Sequence, residues 1–592
     1  MEESSFKDLS TSISQSFESE NITQNIFDIL IEESRLNFSL CCKKLYSYFQ
    51  KRNKILKTEI KIPHTSFLQT IDIPTLKNIL IKYKNITVVD AIYDNEIFKN
   101  LSEANLINLE KLKISCIKGN IDIIKNMTSL KELNLEWNYQ QYDVTNLSIL
   151  SNLINLEKLS LRDGKITDIE FIKELKKLKA ISVIKMSIKT RDTLDITPIS
   201  YCTNLTELNL ISLNIKFIEP IKNLNKLENL CLESFGSIED LSILANMKNL
   251  KNLTIYGSKM NNIEFIKNLN NLETLKISWD SVSDISPLFN LTKLKKLNFP
   301  CNSVDDFEKI KGLKNLEELD FSKTNISDIT ILSNFTNLKK LNLSETKVID
   351  ITPLKAMINL EELNLEKDWL DEDKIKDITP LSNCAKLKKL NLERCGVKDI
   401  SSLKQLINLE ELNLSSNREL RDISALKLLI NLEILDIHSI SIKNIDSLKD
   451  LIKLKELNLS FNHLTDISAL SSLIKLKILN LSTSSLTNIE PLKGMIELKE
   501  LDLSYNYDLR DISPLSSLKK LVKLNLYDND VTNVEPLKNL INLEELNLYG
   551  NTNLSNIYPL SNLIYLSQLY LAKTKVTNYE PVSGFKNLVL HE

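Results

Sequence analysis

The chain has 592 residues, a formal net charge of −3 and 26% charged residues. This length exceeds what one compact core holds, and the balanced charge gives no sign of a nucleic-acid or membrane partner. Only nine glycines occur, none in a G-x-G-x-x-G or G-x-x-x-x-G-K pattern, so no phosphate-binding loop is predicted.

Residues 1–100 differ in composition from the rest of the chain. Residues 1–20 are polar, which predicts a disordered segment, and they lack the apolar stretch of a signal peptide. No run of about 18 apolar residues occurs further on, so we expect no membrane span. The sequence therefore predicts a cytoplasmic protein.

Residues 21–60 form a basic segment that includes L-N-F-S-L-C-C-K-K-L-Y-S-Y-F at 36–49. Its apolar residues recur at helical spacing, for example at Ile26 and Leu30, and Cys41 falls on the same apolar side. The adjacent cysteines have no C-x-x-C spacing and no neighbouring histidine, so neither a metal site nor a redox pair is predicted. The lysines that follow them are typical of a solvated helix face.

The spacing within this segment also resembles an F-box. The apolar pair of the pattern is Ile26–Phe27, and Ser39 lies 13 residues after Ile26. Two features depart from the pattern, because Glu18 and Ser19 replace its Leu-Pro and Leu45 replaces its aromatic residue. The resemblance implies a surface for a Skp-type adaptor of a cullin-type ubiquitin ligase, formed by Ile26, Phe27, Leu30, Leu40 and Cys42. A plain amphipathic helical cap for the following array is the alternative.

Residues 61–104 are predicted to be a linker and a cap, with a capping strand at 86–91, and residues 105–592 repeat themselves. The pattern L-x-x-L-x-L begins 22 times, from Leu109 to Leu588, and 13 of the 21 spacings are 22 residues. A fixed period near 22 with this pattern is the leucine-rich-repeat signature.

Each repeat predicts a short strand, a turn and a corner. In the triplet 457–459 both leucines face inward and Asn458 faces outward. An Asn often follows the triplet, and its buried amide can bond to the turn backbone. The corner D-I-x-P-L, as at 350–354, puts proline in a helical first turn, where its missing N–H is not needed.

These corners, at 284–288, 350–354, 377–381 and 511–515, resemble the 22-residue repeat class of internalins and phosphatase-1 regulatory subunits. The resemblance implies an α/β fold, a curved leucine-rich-repeat solenoid with a parallel β-sheet on its concave face. It also implies 3-10 or short helices on the convex face, next to the small N-terminal helical segment. Members of that class bind other proteins and are not catalysts.

Repeats 294–411 alternate L-K-K-L with L-E-E-L. Neighbouring strands therefore form one column of alternating charge, made of Lys296, Glu318, Lys340, Glu362, Lys389 and Glu411. Opposite charges on adjacent strands contribute roughly 0.2–1 kcal/mol a pair, so the column is predicted to serve register and solubility.

Large aromatic side chains near the strands are the predicted contacts for a partner, because aromatics on a solvated face are typical anchors. Insertions in three repeats add candidates, among them the acidic loop W-L-D-E-D-K at 369–374. Ring stacking on the sheet is the alternative for the aromatics, and neutral drift is the alternative for the insertions. The predicted contact residues are Trp137, Trp279, Trp369, Phe461, Tyr505, Tyr527, Tyr549 and Tyr570.

No catalytic function is predicted, because no Ser/His/Asp or Cys/His set can be assembled around the four histidines. No metal or cofactor is expected either. Three functions stay open. The first is a ubiquitin-ligase receptor that holds a protein target on the concave face. The second is a scaffold or phosphatase-regulatory subunit whose N-terminal helices only cap the array. The third is an internalin-like adhesin, which the missing secretion signal disfavours.

Overall fold

The computed structural model describes residues 58–62, 86–92 and 109–591, with gaps at 118–120, 138–145, 165, 186–192, 235–237, 239, 258–260, 279–281, 305 and 371–373. The chain divides into two compact units, Met1–Lys259 and Met260–Glu592. The polar residues 1–20 and the predicted helix at 22–57 lie outside the described part. So do the F-box-like residues Ile26, Phe27, Leu30, Leu40 and Cys42.

In the first unit, each described strand pairs in parallel with the next one along the chain. The strand predicted at 86–91 is present as β2, but β1 pairs with it on the side away from β3, so it does not end the sheet. The strands are β1 Thr58–Ile62, β2 Ile86–Ile92, β3 Lys111–Ile117, β4 Glu132–Trp137, β5 Lys158–Arg162, β6 Ala180–Ile184, β7 Glu207–Leu213, β8 Asn229–Ser234 and β9 Asn252–Tyr256. The 3-10 helices between them are Asp122–Asn126, Leu147–Asn152, Glu170–Glu174, Thr197–Tyr201, Glu219–Ile221 and Ser242–Asn246.

The second unit has the same parallel arrangement, with strands of three residues from β11 onward. Its strands are β10 Thr274–Ser278, β11 Lys296–Asn298, β12 Glu318–Asp320, β13 Lys340–Asn342, β14 Glu362–Asn364, β15 Lys389–Asn391, β16 Glu411–Asn413, β17 Ile434–Asp436, β18 Glu456–Asn458, β19 Ile478–Asn480, β20 Glu500–Asp502, β21 Lys523–Asn525, β22 Glu545–Asn547, β23 Gln568–Tyr570 and β24 Val589–His591. Its 3-10 helices are Glu264–Ile266, Ser286–Leu288, Phe307–Gly312, Thr330–Asn334, Thr352–Ala356, Thr379–Asn383, Ser401–Gln405, Ser424–Leu428, Asp446–Leu448, Ser468–Ser472, Glu490–Gly494, Ser513–Ser517, Glu535–Leu537, Tyr558–Asn562 and Glu580–Val582.

The repeated leucines form the core of each unit, as predicted. In β18 and the turn after it, Leu457 and Leu459 are buried while Asn458 between them reaches solvent. Leu457 lies opposite Leu479 of the next strand, so equivalent leucines stack along the sheet. Burying each such side chain contributes about 1.5–3 kcal/mol. Strands β3–β24 each follow one of the predicted L-x-x-L-x-L starts, which confirms the repeat architecture.

The corner motif forms the 3-10 helices. In the corner at 350–354, the Asp350 carboxylate accepts a 2.8 Å hydrogen bond from the Thr352 backbone N–H. Hydrogen bonds from the Thr352 side chain and backbone hold the pKa of Asp350 below its usual value. Pro353 occupies the first turn of the helix, as predicted, and Leu354 is buried beneath it.

Buried asparagines join consecutive repeats, which confirms their predicted role. The Asn462 amide donates to the carbonyls of Leu459 in its own repeat and Ile437 in the repeat before, both at 2.9 Å. Its carbonyl accepts from the Ile442 backbone N–H at 3.2 Å. Asn417, Asn506 and Asn551 repeat these contacts. Where threonine or cysteine fills the slot, one backbone carbonyl is still satisfied, as by Thr346 and Cys395.

Candidate functional site

The strand face, defined as the outward first and third residues of strands β11–β22, carries the predicted column of charge. Lys296 pairs with Glu318 at 3.1 Å, Lys340 with Glu362 at 2.7 Å, and Lys389 with Glu411 at 2.6 Å. In each pair the lysine reaches forward to the glutamate of the following repeat. The predicted column is therefore confirmed.

A second column of ion pairs lies one residue earlier in each repeat, and the sequence analysis missed it. Here each lysine reaches back to the preceding repeat. The pairs are Lys295–Glu273 at 2.7 Å, Lys339–Glu317 at 2.7 Å and Lys388–Glu361 at 2.9 Å. The two adjacent lysines in L-K-K-L and the two adjacent glutamates in L-E-E-L already indicate two columns of charge in the sequence. Because both columns are exposed to solvent, water and salt screen the ion pairs, and each pair adds little to stability.

The strand face becomes acidic over β17–β22. Ile434 and Ile478 take positions that lysine or glutamate holds in earlier strands. Carboxylates now outnumber cations, with Asp436, Glu456, Glu500, Asp502 and Glu545 against Lys523. In β11–β16, by contrast, most of the charges belong to lysine–glutamate pairs. The two halves of the strand face therefore offer a partner different electrostatics.

Trp137 was predicted to lie on the solvated face, and this prediction is wrong. Trp137 is only 3% exposed, at the end of β4. The strand has six residues, so alternation continues through it and turns the indole toward the core with Leu133 and Leu135. Trp279 lies outside the described residues.

The predicted insertion loop places its tryptophan in solvent. Trp369 is 77% exposed, and Leu370 beside it is also exposed. Lys374 anchors the far side of the loop by donating to the Asp368 carbonyl at 2.9 Å. Just before the loop, the buried Lys367 donates to the Thr346 carbonyl at 2.5 Å. A buried ammonium therefore bonds to the turn backbone of the preceding repeat at this place.

Three of the predicted aromatics lie in a row of neighbouring rings, which we name the tyrosine ladder: Tyr505, Tyr527 and Tyr549. The ring centroids of Tyr505 and Tyr527 are 4.9 Å apart, and those of Tyr527 and Tyr549 are 4.7 Å apart with nearly parallel planes. A hydrogen bond with Tyr505 is the main cause that raises the pKa of Tyr527 to about 12. Tyr570 stacks instead on His591 at 4.2 Å.

The remaining predicted aromatic, Phe461, shares an unusual backbone position with Tyr505. Phe461 is 58% exposed with φ 55°, and Tyr505 has φ 58°. The same left-handed backbone position recurs in other repeats, for example at Lys323, Glu345 and Ser416. Holding a bulky residue there costs of order 1–2 kcal/mol. The left-handed backbone thus sets where these rings leave the chain, a feature that the sequence did not show.

Ser416, His438 and Asp436 come together on the strand face, against the prediction that no Ser/His/Asp set can be assembled. His438 Nδ1 lies 2.8 Å from Asp436 Oδ1, and His438 Nε2 lies 3.5 Å from Ser416 Oγ. Asn458 donates to the other oxygen of Asp436 at 3.1 Å. The hydrogen bond to Asp436 raises the pKa of His438. Such an order of groups orients an imidazole, but catalysis also needs donors aimed at the developing charge.

A row of exposed isoleucines was also missed by the sequence analysis. In many repeats of the second unit it occupies the turn between a 3-10 helix and the following strand, where the sequence reads, for example, L-I-N-L, L-I-K-L or M-I-N-L. Every member is more than half exposed: Ile358, Ile407, Ile430, Ile452, Ile474, Ile496, Ile541 and Ile564. The regular period of the row follows directly from the period of the repeat.

The model of the family described as leucine-rich repeats in two copies matches residues 314–356, 385–428, 452–494 and 496–539. These four stretches are leucine-rich repeats. All four matched stretches lie in the second unit, and they include part of each charge column and two of the three tyrosines of the ladder. No curated protein sequence matches the chain.

Solved structures share this fold. The TLR13–ssRNA13 complex matches with a TM-score of 0.50 and 19% identity, over 86% of this chain and 92% of that chain. An internalin, InlF, from Listeria monocytogenes matches with a TM-score of 0.45 and 27% identity, over 60% of this leucine-rich-repeat chain and 90% of the internalin. The ectodomain of the receptor kinase GASSHO1/SCHENGEN3 from Arabidopsis thaliana matches with a TM-score of 0.46 and 19% identity, over 87% and 73% of the two chains.

In the part of the chain that the structure describes, no helix has the length and apolar character to cross a bilayer. Within the same residues, no group of three or more His, Cys, Asp or Glu side chains could hold a metal ion. Cys202, Cys384 and Cys395 are buried, whereas Cys231 and Cys301 are partly exposed. Burial raises the pKa of Cys395 to about 12.

Proposed function

We propose that this leucine-rich-repeat protein binds a protein target through the strand face of its second unit. The observation that carries the proposal is the tyrosine ladder, a row of partly exposed rings beside the acidic strands β17–β22. Aromatic side chains on a rigid, solvated surface are among those that most often anchor a protein partner.

A bulky charge on the strand face tests this proposal. The target is first captured with the full chain, identified and purified, and its affinity is then measured by calorimetry. We expect Asn525→Arg, between Tyr505 and Tyr549 on β21, to weaken binding at least tenfold. Ser471→Arg, on an exposed 3-10 helix, is the matched control and should bind normally. Equal binding by both variants would place the target elsewhere.

We further propose that the chain is a substrate receptor of a cullin-type ubiquitin ligase, acting in the cytoplasm. The support is the F-box-like spacing in the sequence. Ile26, Phe27, Leu30, Leu40 and Cys42 would bind the Skp-type adaptor, while the repeats hold the target. The mechanism would be proximity, because the receptor raises the local concentration of target near the charged enzyme.

Purified Skp–cullin complex decides between this role and its alternatives. We expect full-length protein, but not a version without residues 1–60, to retain the complex on a column. Leu30→Asp should abolish retention, whereas Lys51→Asp, on the predicted solvated side, should not.

If neither full-length nor truncated protein retains the complex, the ubiquitin-ligase role is wrong. The D-I-x-P-L corners would then favour a scaffold or phosphatase-regulatory role, with the internalin-like adhesin as the third possibility. Retention of a phosphatase by both forms supports the scaffold. Binding to intact host cells supports the adhesin.

A further inference from the structure

The tyrosine ladder lines up three rings at roughly the spacing of the strands, with Tyr527 between the other two, so the outer ring faces belong to Tyr505 and Tyr549. Its centroid distances of 4.7 and 4.9 Å match the roughly 4.8 Å between neighbouring strands, because the rings come from consecutive repeats. Tyr505 is 38% exposed, and Tyr507 meets its ring edge-on at 6.2 Å. Aromatic faces of this kind attract cations through the ring quadrupole.

One end of the ladder already holds a cation. Lys573 Nζ lies 5.1 Å from the centroid of the Tyr549 ring. A hydrogen bond with Tyr549 is the main cause that raises the pKa of Lys573, and the charge of Asp528 adds to it. The chain therefore supplies its own example of an ammonium group held over a ladder ring.

Carboxylates border the rest of the ladder. Asp528 follows Tyr527 directly, and its side chain is packed against Gly550. A Cβ atom at Gly550 would lie 1.7 Å from Asp528 Oδ1, and the residue has φ 75°, so glycine is required there. On β20, Asp502 accepts a 3.1 Å hydrogen bond from Asn525 and keeps its other oxygen toward Ser504. The carboxylates are thus held in fixed places beside the rings.

We propose that the tyrosine ladder and its bordering carboxylates bind arginine side chains in an extended basic segment of the partner protein. This inference rests on the proposed function and specifies the chemistry of its target. A guanidinium is planar, so it can stack on a tyrosine face while its N–H groups reach a carboxylate. An ammonium can do only one of these with good geometry. The acidic excess over β17–β22 favours the same partner.

The test uses a fluorescent oligoarginine peptide and the full chain, with affinity read from fluorescence anisotropy. Oligolysine and oligoglutamate of equal length are the comparison probes. We expect oligoarginine to bind more tightly than oligolysine, and oligoglutamate not to bind. Replacing both Tyr527 and Tyr549 by leucine should weaken oligoarginine binding about tenfold, since each exposed cation–ring contact corresponds to about a two- to fivefold change.

Two matched comparisons separate the ladder from general acidity. Glu318→Gln with Glu362→Gln removes carboxylates from the paired half of the strand face and should leave binding within about twofold. Lys573→Gln and Lys523→Gln remove the same charge, but only Lys573 lies on a ladder ring. We therefore expect Lys573→Gln to strengthen oligoarginine binding more than Lys523→Gln does. This comparison also covers the case in which the double tyrosine variant fails to fold.

Absence of oligoarginine binding overturns the inference, and so does equal strengthening by the two lysine variants. Equal affinity for oligoarginine and oligolysine overturns the assignment to arginine. The proposed function has a separate test, which compares binding of the identified target to the unmodified protein and to Asn525→Arg. If that target binds at the strand face while oligoarginine does not, only the inference about arginine is lost.

Discussion

Replacing Asn462 by alanine tests whether the buried asparagines hold the repeats together. Asn462 is fully buried, and its side chain bonds to the backbone of Ile442, Ile437 and Leu459 at 3.2, 2.9 and 2.9 Å. Alanine leaves all three backbone groups buried without this partner. At about 1 kcal/mol or slightly more for each lost bond, we expect a loss of about 3–4 kcal/mol in the free energy of unfolding.

Urea unfolding followed by circular dichroism measures this loss, and amide hydrogen exchange locates it. We expect the Ile442 amide to lose protection. Asn462→Thr is the control, because Thr346 in the equivalent slot donates to the Leu343 carbonyl at 2.7 Å. Threonine should therefore restore about 1 kcal/mol. A loss below about 1 kcal/mol for the alanine variant, with Ile442 still protected, would refute the role given to the asparagines.

Three further predictions concern burial and ionisation. Trp137→Ala should lower the free energy of unfolding, measured in urea, by about 3–5 kcal/mol, and Trp369→Ala by less than about 0.5 kcal/mol. Similar losses for the two variants would contradict the burial assigned to Trp137 and the exposure assigned to Trp369. Asp436→Asn should lower the free energy of unfolding more near about pH 6 than near about pH 9. The Asp436–His438 pair is charged on both sides at pH values above the unfolded Asp pKa, and it weakens as the pH rises through the raised pKa of His438. A pH-independent loss would count against that pair. Cys395 should resist iodoacetamide in the folded protein and react in urea, and labelling of the native thiol would show that it is not buried.

The sequence predicted those features that depend on chemistry within one repeat. Inward leucines follow from strand alternation, the proline corner follows from the missing N–H, and the role of Asn462 follows from its amide. The charge column from Lys296 to Glu411 needed only one further assumption, that equivalent residues face each other in register. The structure supplies that register directly.

The errors come from features that a repeat pattern does not specify. Trp137 is buried because β4 has six residues, whereas the strands from β11 onward have three, and strand length depends on pairing along both neighbours. The left-handed position of Phe461 was hidden because non-glycine residues occupy it. Ser416 lies near His438 of the next repeat, a relation that the spacing of the histidines alone does not show.

Site-specific photo-cross-linking tests most directly the claim that the strand face of the second unit binds the target. A photoreactive phenylalanine is placed at Asn547, between the ladder and β23, or at Ser471 on a 3-10 helix. We predict that the purified target cross-links through position 547 and not through position 471. Cross-linking through position 471 alone would show that the target uses another surface.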